Sequence, residues 1–145
     1  MTATIRPFAD GDHAEWRRMR LALWPEEATS AHEALEWLAR KDATVLVAQR
    51  ESGGLCGFAE VGERSIADGC ETSPVAYLEG WYVDAGVRRQ GIGAALIRAA
   101  EAWARERGYR EFASDALLDN PVSHRAHERL GFEETGRVVN FRKAL

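Results

Sequence analysis

No stretch of the sequence approaches the roughly 20 consecutive apolar residues that a membrane-spanning helix requires. The opening run Met1-Thr2-Ala3-Thr4-Ile5 passes straight into Arg6-Pro7 without the apolar core of a signal peptide. A cytoplasmic protein is therefore expected. Cysteine is scarce: Cys56 and Cys70 are unclustered and neither has an adjacent histidine. That disfavours a disulfide framework, a zinc site and a cysteine nucleophile, and both thiols read as buried filler. Positive charge is not in excess either. Lys and Arg number 19 against 23 Asp and Glu, a net charge of −4, which argues against nucleic acid and suits cationic partners better. Repeats, low-complexity segments and linkers are missing, so the chain is expected to be a single domain, 1–145, long enough to bury a core. What remains is ordinary for a globular protein, 46% hydrophobic and 29% charged.

The local patterns alternate between strand and helix. Ala3 to Phe8 reads as a strand. Asp12 with Glu15 forms a capping-box pattern before a helix whose Trp16, Met19 and Leu23 share a face. Trp24-Pro25 stops it, because a residue before proline is pushed out of the helical region. Ser30 with Glu33 repeats the capping pattern, with Ala34, Leu35 and Leu38 facing inward. Thr44 to Ala48 is a buried strand, and Ser52-Gly53-Gly54 turns it into Leu55–Val61, with a continuation toward Ile66. Ala67–Pro74 is loop chemistry. Gly108 ends the helix that follows the central strand, and Arg110–Ser114 is a short strand. Asn120-Pro121 opens a helix with Val122, Ala126 and Leu130 on one face, closed by Gly131. Thr135–Phe141 reads as a last strand. The order β-α-α-β-β-β-α-β-α-β is α/β with a mixed sheet.

The stretch Leu78–Arg98 organises the rest. Leu78-Glu79-Gly80-Trp81-Tyr82-Val83 has strand composition, Asp84-Ala85-Gly86 ends it, and from Ile92 the apolar residues recur at helical spacing. Between them lies Arg88-Arg89-Gln90-Gly91-Ile92-Gly93. Glycines at a helix mouth expose backbone N–H groups, and with the helix dipole and two arginines they form an anion site suited to pyrophosphate. No lysine followed by Ser or Thr succeeds the glycines, so this is not a Walker A loop. A dinucleotide fingerprint needs a third spaced glycine and sits in the first strand–helix unit of its domain. Arg-x-x-Gly-x-Gly between a strand and an amphipathic helix resembles the pyrophosphate loop of the GNAT superfamily of acetyl-CoA-dependent N-acetyltransferases. The element order and the tail His127-Glu128-Arg129-Leu130-Gly131-Phe132 resemble that superfamily too, over nearly the whole chain.

Further segments narrow the resemblance to aminoglycoside 6′-N-acetyltransferases: Leu23-Trp24-Pro25, Asp68-Gly69-Cys70 with Ser73-Pro74-Val75, Leu78-Glu79-Gly80, Ala113-Ser114-Asp115 and Gly131-Phe132-Glu133-Glu134-Thr135. The resemblance implies a GNAT fold, a mixed, mostly antiparallel central sheet flanked by helices. It also implies acetyl transfer from acetyl-CoA, the co-substrate, to the 6′-amine of an aminoglycoside, without a metal. Trp24, Glu79 and Asp115 would line the aminoglycoside site, with the loop acid Glu27 beside them. Trp81, Tyr82, Val83, Arg88, Arg89, Gln90, Gly91, Ile92, Gly93, Ala94 and Asn120 would hold the cofactor, a backbone N–H near Val83 polarising the thioester. His127 stands where many members carry the tyrosine that protonates the thiolate. A homodimer through the C-terminal strand is implied by the same resemblance. Two departures, Ile66 in place of an aromatic and Gly136 in place of an acid, bear on the breadth of aminoglycoside use.

The residues themselves leave alternatives. An amine of pKa about 10.4 arrives protonated, so a carboxylate that binds the cation and takes its proton is needed. Glu79 serves that, or is a sheet-surface acid paired across strands. Simple alternation puts Glu79, Trp81 and Val83 on one face and Leu78, Gly80 and Tyr82 on the other. Asp115 is a second acceptor-site acid or a turn cap. Trp24 is a platform or a core residue; Trp16, Trp37 and Trp103 are core by position. His124 and His127 lie one turn apart without further ligands in register, so no metal site is expected. The competing functions are a GNAT enzyme for another amine and an acyl-CoA-binding module without catalysis.

Overall fold

The computed structural model describes residues 3–25 and 30–145. Among them the sheet has five strands in the order β1-β2-β3-β4-β5. β1 (Ala3–Pro7), β2 (Ala43–Arg50), β3 (Leu55–Arg64) and β4 (Val75–Val83) are mutually antiparallel, while β5 (Phe112–Ser114) joins β4 in parallel. Helices α1 (His13–Leu23) and α2 (Ser30–Ala39) precede β2, α3 (Ile92–Glu106) links β4 to β5, and α4 (Pro121–Arg129) follows. This is the mixed, mostly antiparallel α/β arrangement anticipated from the sequence. Glu26, Glu27 and the side chain of Ser30, with its capping pattern, lie outside the described residues.

Both faces of the sheet are covered, which explains the unbroken apolar run of β2. Val45 and Val47 pack with Phe58 under Trp16, Met19 and Ala34 on the α1–α2 face. Leu46 and Ala48 pack with Ala59, Val61, Ala76 and Leu78 under Ile92, Leu96, Ile97, Ala100 and Ala104 on the α3 face. Strand alternation sends successive side chains to opposite faces, so a strand buried on both must be apolar throughout.

Several local expectations change in three dimensions. Asp12 makes no side-chain cap to α1; its carboxylate instead takes two bonds from Arg6, at 2.7 and 3.0 Å, and one from the Ala9 N–H. Glu15 turns to Arg18 and to the Leu55 N–H. A salt bridge to a neighbouring strand outcompetes the local cap here. In α2 the inward stripe is Ala34, Trp37 and Leu38, and Leu35, roughly a quarter-turn away, is exposed. In α4 Val122 is exposed, and Ser123, Ala126, His127 and Leu130 turn inward. Trp16 is fully buried, but Trp37 and Trp103 are only half-buried, each beneath an arginine.

The largest departure is at the C-terminus. Residues 135–141 form no strand, and Val138, Val139 and Phe141 are exposed. A strand needs a neighbour to accept its backbone hydrogen bonds, and among the described residues this segment pairs with none.

Candidate active site

Two sites flank β4, one on each face. A β-bulge separates their side chains. The pairing of β3 with β4 runs Glu60 with Gly80 and then Val61 with Leu78, so Glu79 has no partner. An unpaired residue breaks the two-residue alternation. Leu78, Trp81 and Val83 therefore pack on the α3 face, while Gly80 and Tyr82 meet Trp24 and Phe58 on the α1–α2 face. Glu79 joins that second face. This corrects the simple alternation, which grouped Glu79 with Trp81 and Val83.

On the α1–α2 face Glu79 and Trp24 line one cavity of about 610 Å³, with Glu33 and Glu36 of α2 also at its wall. Gly80 is required by close approach: a Cβ there would lie 2.6 Å from the Trp24 ring. Trp24 is half-buried, edge-on to Phe58 with centroids 6.3 Å apart. Behind it Arg20 places its guanidinium 5.1 Å from the Trp24 ring and 5.2 Å from that of Trp16. Arg20 in turn donates to Glu60 at 2.6 Å, a pair almost wholly buried. Burial pushes the Glu60 carboxyl above its usual range against the opposing pull of Arg20. Trp16 Nε1 has no hydrogen-bond partner of good geometry, yet its N–H favours the charged form of Glu60.

Glu79 is not a bare carboxylate. Arg64, the last residue of β3, donates Nε to one oxygen at 2.8 Å and Nη2 to the other at 2.6 Å. The Arg64 guanidinium lies 3.5 Å from the centroid of the Tyr77 ring, and the Tyr77 hydroxyl donates to Asp115 just beyond β5. Burial, then Asp115, push the Tyr77 phenol well above its usual range, so it remains a donor. The two acids singled out from the sequence are thus connected through Arg64 and Tyr77, Glu79 at the cavity wall and Asp115 beyond it. The sequence reading passed over Arg64, Tyr77, Arg20 and Glu60. Arg20 was findable as a charge on the stripe of Trp16 and Met19, and Glu60 as a charge inside an apolar strand.

On the α3 face, residues 88–94 enter α3 through Gly91, whose φ of 81° is left-handed. Arg89, at φ 64°, shares that uncommon geometry without being glycine. Gly91 brings no capping side chain to α3, so the first-turn N–H groups of Ile92, Gly93 and Ala94 face outward without helical partners. Arg88, Arg89 and Gln90 are exposed beside them, although Arg88 Nε is spent on the Val83 carbonyl at 2.9 Å. Within the chain itself the two glycines meet different demands. A Cβ on Gly91 meets nothing within 4 Å, and its demand is the left-handed backbone. A Cβ on Gly93 would lie 3.3 Å from the Trp81 indole, which donates Nε1–H to the Gly93 carbonyl. Trp81 also meets His127 edge-on, 5.3 Å between centroids.

His127 is fixed at both nitrogens. Nδ1 lies 2.7 Å from the Ser123 carbonyl, which can only accept, so Nδ1 carries the proton. Nε2 then accepts from the Ser114 hydroxyl at 2.8 Å. Asn120 caps α4, its Oδ1 accepting the Ser123 N–H. Tyr82 points its ring to the face opposite Trp81. β5 pairs with Ala76–Leu78, and among the described residues no strand pairs with the outer edge of β4 from Glu79 to Val83. Among the described residues no cluster of three or more His, Cys, Asp or Glu side chains suits a metal. No helix among them is long and apolar enough to cross a membrane. A second hollow of about 380 Å³, near Ser73 and Tyr109, contains none of the candidate residues.

A left-handed glycine entry to a helix on one face and an acid-lined, aromatic-walled cavity on the other, across one bulged strand, define an acyltransferase class of site. Residues 10–132 match the model of the acetyltransferase (GNAT) family, and the chain belongs to it. Among curated proteins it is 47% identical over 146 residues to aminoglycoside N(6′)-acetyltransferase type 1 of Klebsiella aerogenes, covering 97% of this chain and 96% of that one. It is 43% identical to the enzyme of the same name from Stenotrophomonas maltophilia, covering 98% and 94%. Among solved structures, the apo aminoglycoside 6′-N-acetyltransferase of Acinetobacter haemolyticus superposes with a TM-score of 0.91 at 41% identity, covering 98% of this chain and 99% of that one. The aminoglycoside N-acetyltransferase AAC(6′)-Iy, complexed with the bisubstrate analogue CoA-S-monomethyl-acetylneamine, gives 0.92 at 36% identity over the full length of both.

Proposed function

We propose that this enzyme transfers the acetyl group of acetyl-CoA to the 6′-amine of an aminoglycoside. The observation that carries this reading is the link from Glu79, in the cavity beside Trp24, through Arg64 and Tyr77 to Asp115, across β4 from the glycine entry to α3. Relatives near 40–47% identity that bear this activity in their names support the same reading. The first-turn N–H groups of α3, with Arg89 and Gln90, receive the pyrophosphate. The unpaired outer edge of β4 offers a backbone N–H near Val83 to the thioester carbonyl, where charge develops in the transition state. The aminoglycoside enters from the α1–α2 face. Glu79 binds the reacting ammonium and receives or relays its proton; Asp115 binds a second ammonium; Trp24, with Glu27, flanks the sugar. The neutral amine attacks the acyl carbon, the C–S bond breaks, and CoA leaves as a thiolate that takes up a proton. A thiol of pKa about 8.5 is a good leaving group and needs little help. His127 is therefore a minor contributor, since handing a proton outward requires releasing Ser114 or Ser123.

The enzyme is further read as one domain spanning 1–145, acting in the cytoplasm, where acylation of an incoming antibiotic confers resistance. We read it as a homodimer, because the exposed Val138, Val139 and Phe141 need a partner that a second chain supplies. Light scattering tests this directly: a monomer defeats the dimer, and deleting Val139–Leu145 should yield monomers or insoluble protein.

Thiol release from acetyl-CoA, measured with kanamycin, tobramycin, spermidine and a peptide, tests the activity. Turnover is expected with the aminoglycosides. Turnover with only spermidine or the peptide moves the enzyme to another amine, and none at all makes it a binding module. Glu79→Gln should lower kcat by roughly 10²–10⁴-fold, the scale of general base catalysis. Asp115→Asn should raise KM with kcat nearly kept, as expected where binding is shared by ground and transition states.

A further inference from the structure

We infer that Arg64, stacked on Tyr77, is a positioning residue that locks Glu79 and Asp115 into a single acceptor-binding unit; this rests on the aminoglycoside reading above. A site for polycations is an unfavourable place for a fixed cation. Arg64 offsets one of the two acids and lies within electrostatic range of the other. Its cost is offset only if its geometry does something the charge does not. That geometry is specific. The guanidinium takes both Glu79 oxygens in a two-bond fork, which fixes the plane of the carboxylate. It lies over the Tyr77 ring, 3.5 Å from its centroid, and Tyr77 is buried, which limits the movement of that platform. The far end of the same tyrosine holds Asp115.

The bulge makes such a device necessary. Glu79 is the unpaired residue of β4, outside the ladder that orients its neighbours. Asp115 sits just past the end of a three-residue strand, on an exposed loop. Neither acid is held by regular backbone pairing at its own position. Arg64 and Tyr77 emerge from the paired ends of β3 and β4, where Arg64 opposes Val75 and Gly62 opposes Tyr77. They transmit the rigidity of that ladder to both acids. Each carboxylate keeps lone pairs directed away from its protein donor for the ammonium groups of the acceptor.

The test is steady-state kinetics with kanamycin on wild type, Arg64→Ala, Arg64→Lys, Glu79→Gln and the double variant Arg64→Ala/Glu79→Gln, with CoA affinity by calorimetry as the control. Arg64 is 43% exposed, so its replacements should fold. Arg64→Ala should raise the acceptor KM about tenfold, the scale of a lost charge-assisted hydrogen bond, with CoA affinity unchanged. Arg64→Lys should recover little, because a point charge cannot reproduce the fork or the stack. The double variant should be no worse than Glu79→Gln alone, within about twofold, since Arg64 acts through Glu79. Tyr77→Phe keeps the stack and releases Asp115, and should raise KM less than Arg64→Ala does, with kcat kept. Arg64→Ala kinetics within twofold of wild type, full rescue by lysine, or additive losses in the double variant each overturns the inference while wild-type turnover leaves the acetyltransferase reading standing. Absence of wild-type turnover with any aminoglycoside overturns both.

Discussion

The two faces of the sheet are held together by different forces. The α3 face is apolar packing that ends in free backbone donors: Leu96, Ile97 and Ala100 pack with Leu46, Val61 and Leu78, and the first-turn N–H groups of the helix carry no side-chain cap. The α1–α2 face combines a similar apolar layer with charge, the Arg20–Glu60 pair buried beneath Trp24 and the Arg64–Glu79 pair partly exposed at the cavity wall. Backbone donors serve an anion with little dependence on which side chains surround them. Recognition of cations needs carboxylates, and carboxylates near a core need counter-charges to hold and aim them. The α1–α2 face is consequently the more fragile one.

Glu60→Ala should show this most strongly. Removing Glu60 takes this carboxylate from the buried Arg20 guanidinium, and a loss of about 3–5 kcal/mol is expected by denaturant titration. The matching Arg20→Met/Glu60→Leu variant should lose far less stability. A Glu60→Ala loss under 1 kcal/mol would erase the contrast between the faces.

Asp12→Asn comes next, with a loss of about 1.5–3 kcal/mol from its charge-assisted bonds to Arg6. The Arg6 guanidinium holds the Asp12 carboxyl below its ordinary 3.8. A depressed folded pKa contributes stability above the unfolded value, and that contribution is lost as pH falls through the lowered one. Glu60 runs the other way: its pKa is raised, so its contribution is present below 4.5 and declines as pH rises through the folded value. Acid unfolding should therefore flatten in Asp12→Asn. An unchanged slope between about pH 5 and 2 would show that Asp12 is not a source of it.

On the α3 face, Gly93→Val should weaken CoA binding at least about tenfold, or 1.4 kcal/mol, by pressing on Trp81 and displacing the first turn of the helix. Melting should change little. Calorimetry showing wild-type affinity would remove the anion loop from the argument. The smallest effect is expected for His127→Phe, a fall in kcat of less than about tenfold, since thiolate departure needs little proton donation; a loss of 10²-fold or more would make His127 the general acid.

The glycine entry to α3 was legible because it is local. A strand, a left-handed glycine and an amphipathic helix succeed one another within Leu78–Arg98. Asn120 and Pro121 at the start of α4, and the stop at Gly108, were legible for the same reason. The acceptor site was only half so. Glu79, Asp115 and Trp24 were named through resemblance, whereas their supports come from the ends of other strands. The face of Glu79 was misread because a bulge is a property of two strands paired together, and neither strand announces it alone.

What the sequence determined by itself is therefore what depends on neighbours within a few turns of chain: periodicity, helix ends, the glycine loop and the apolar character of strands buried on both faces. Only the tertiary structure decided that Asp12 serves Arg6 rather than the helix beside it. It also decided that Leu35 and Val122 face out, and that Thr135–Phe141 pairs with no strand among the described residues. It decided, too, that Arg64 and Tyr77 join two acids 36 residues apart in sequence, Glu79 and Asp115. Local conformation is set by backbone sterics and hydrogen bonds that act over a few residues. The partner of a charge or a strand edge is set by which distant segment folding brings alongside it, and that is decided by the packing of the whole chain.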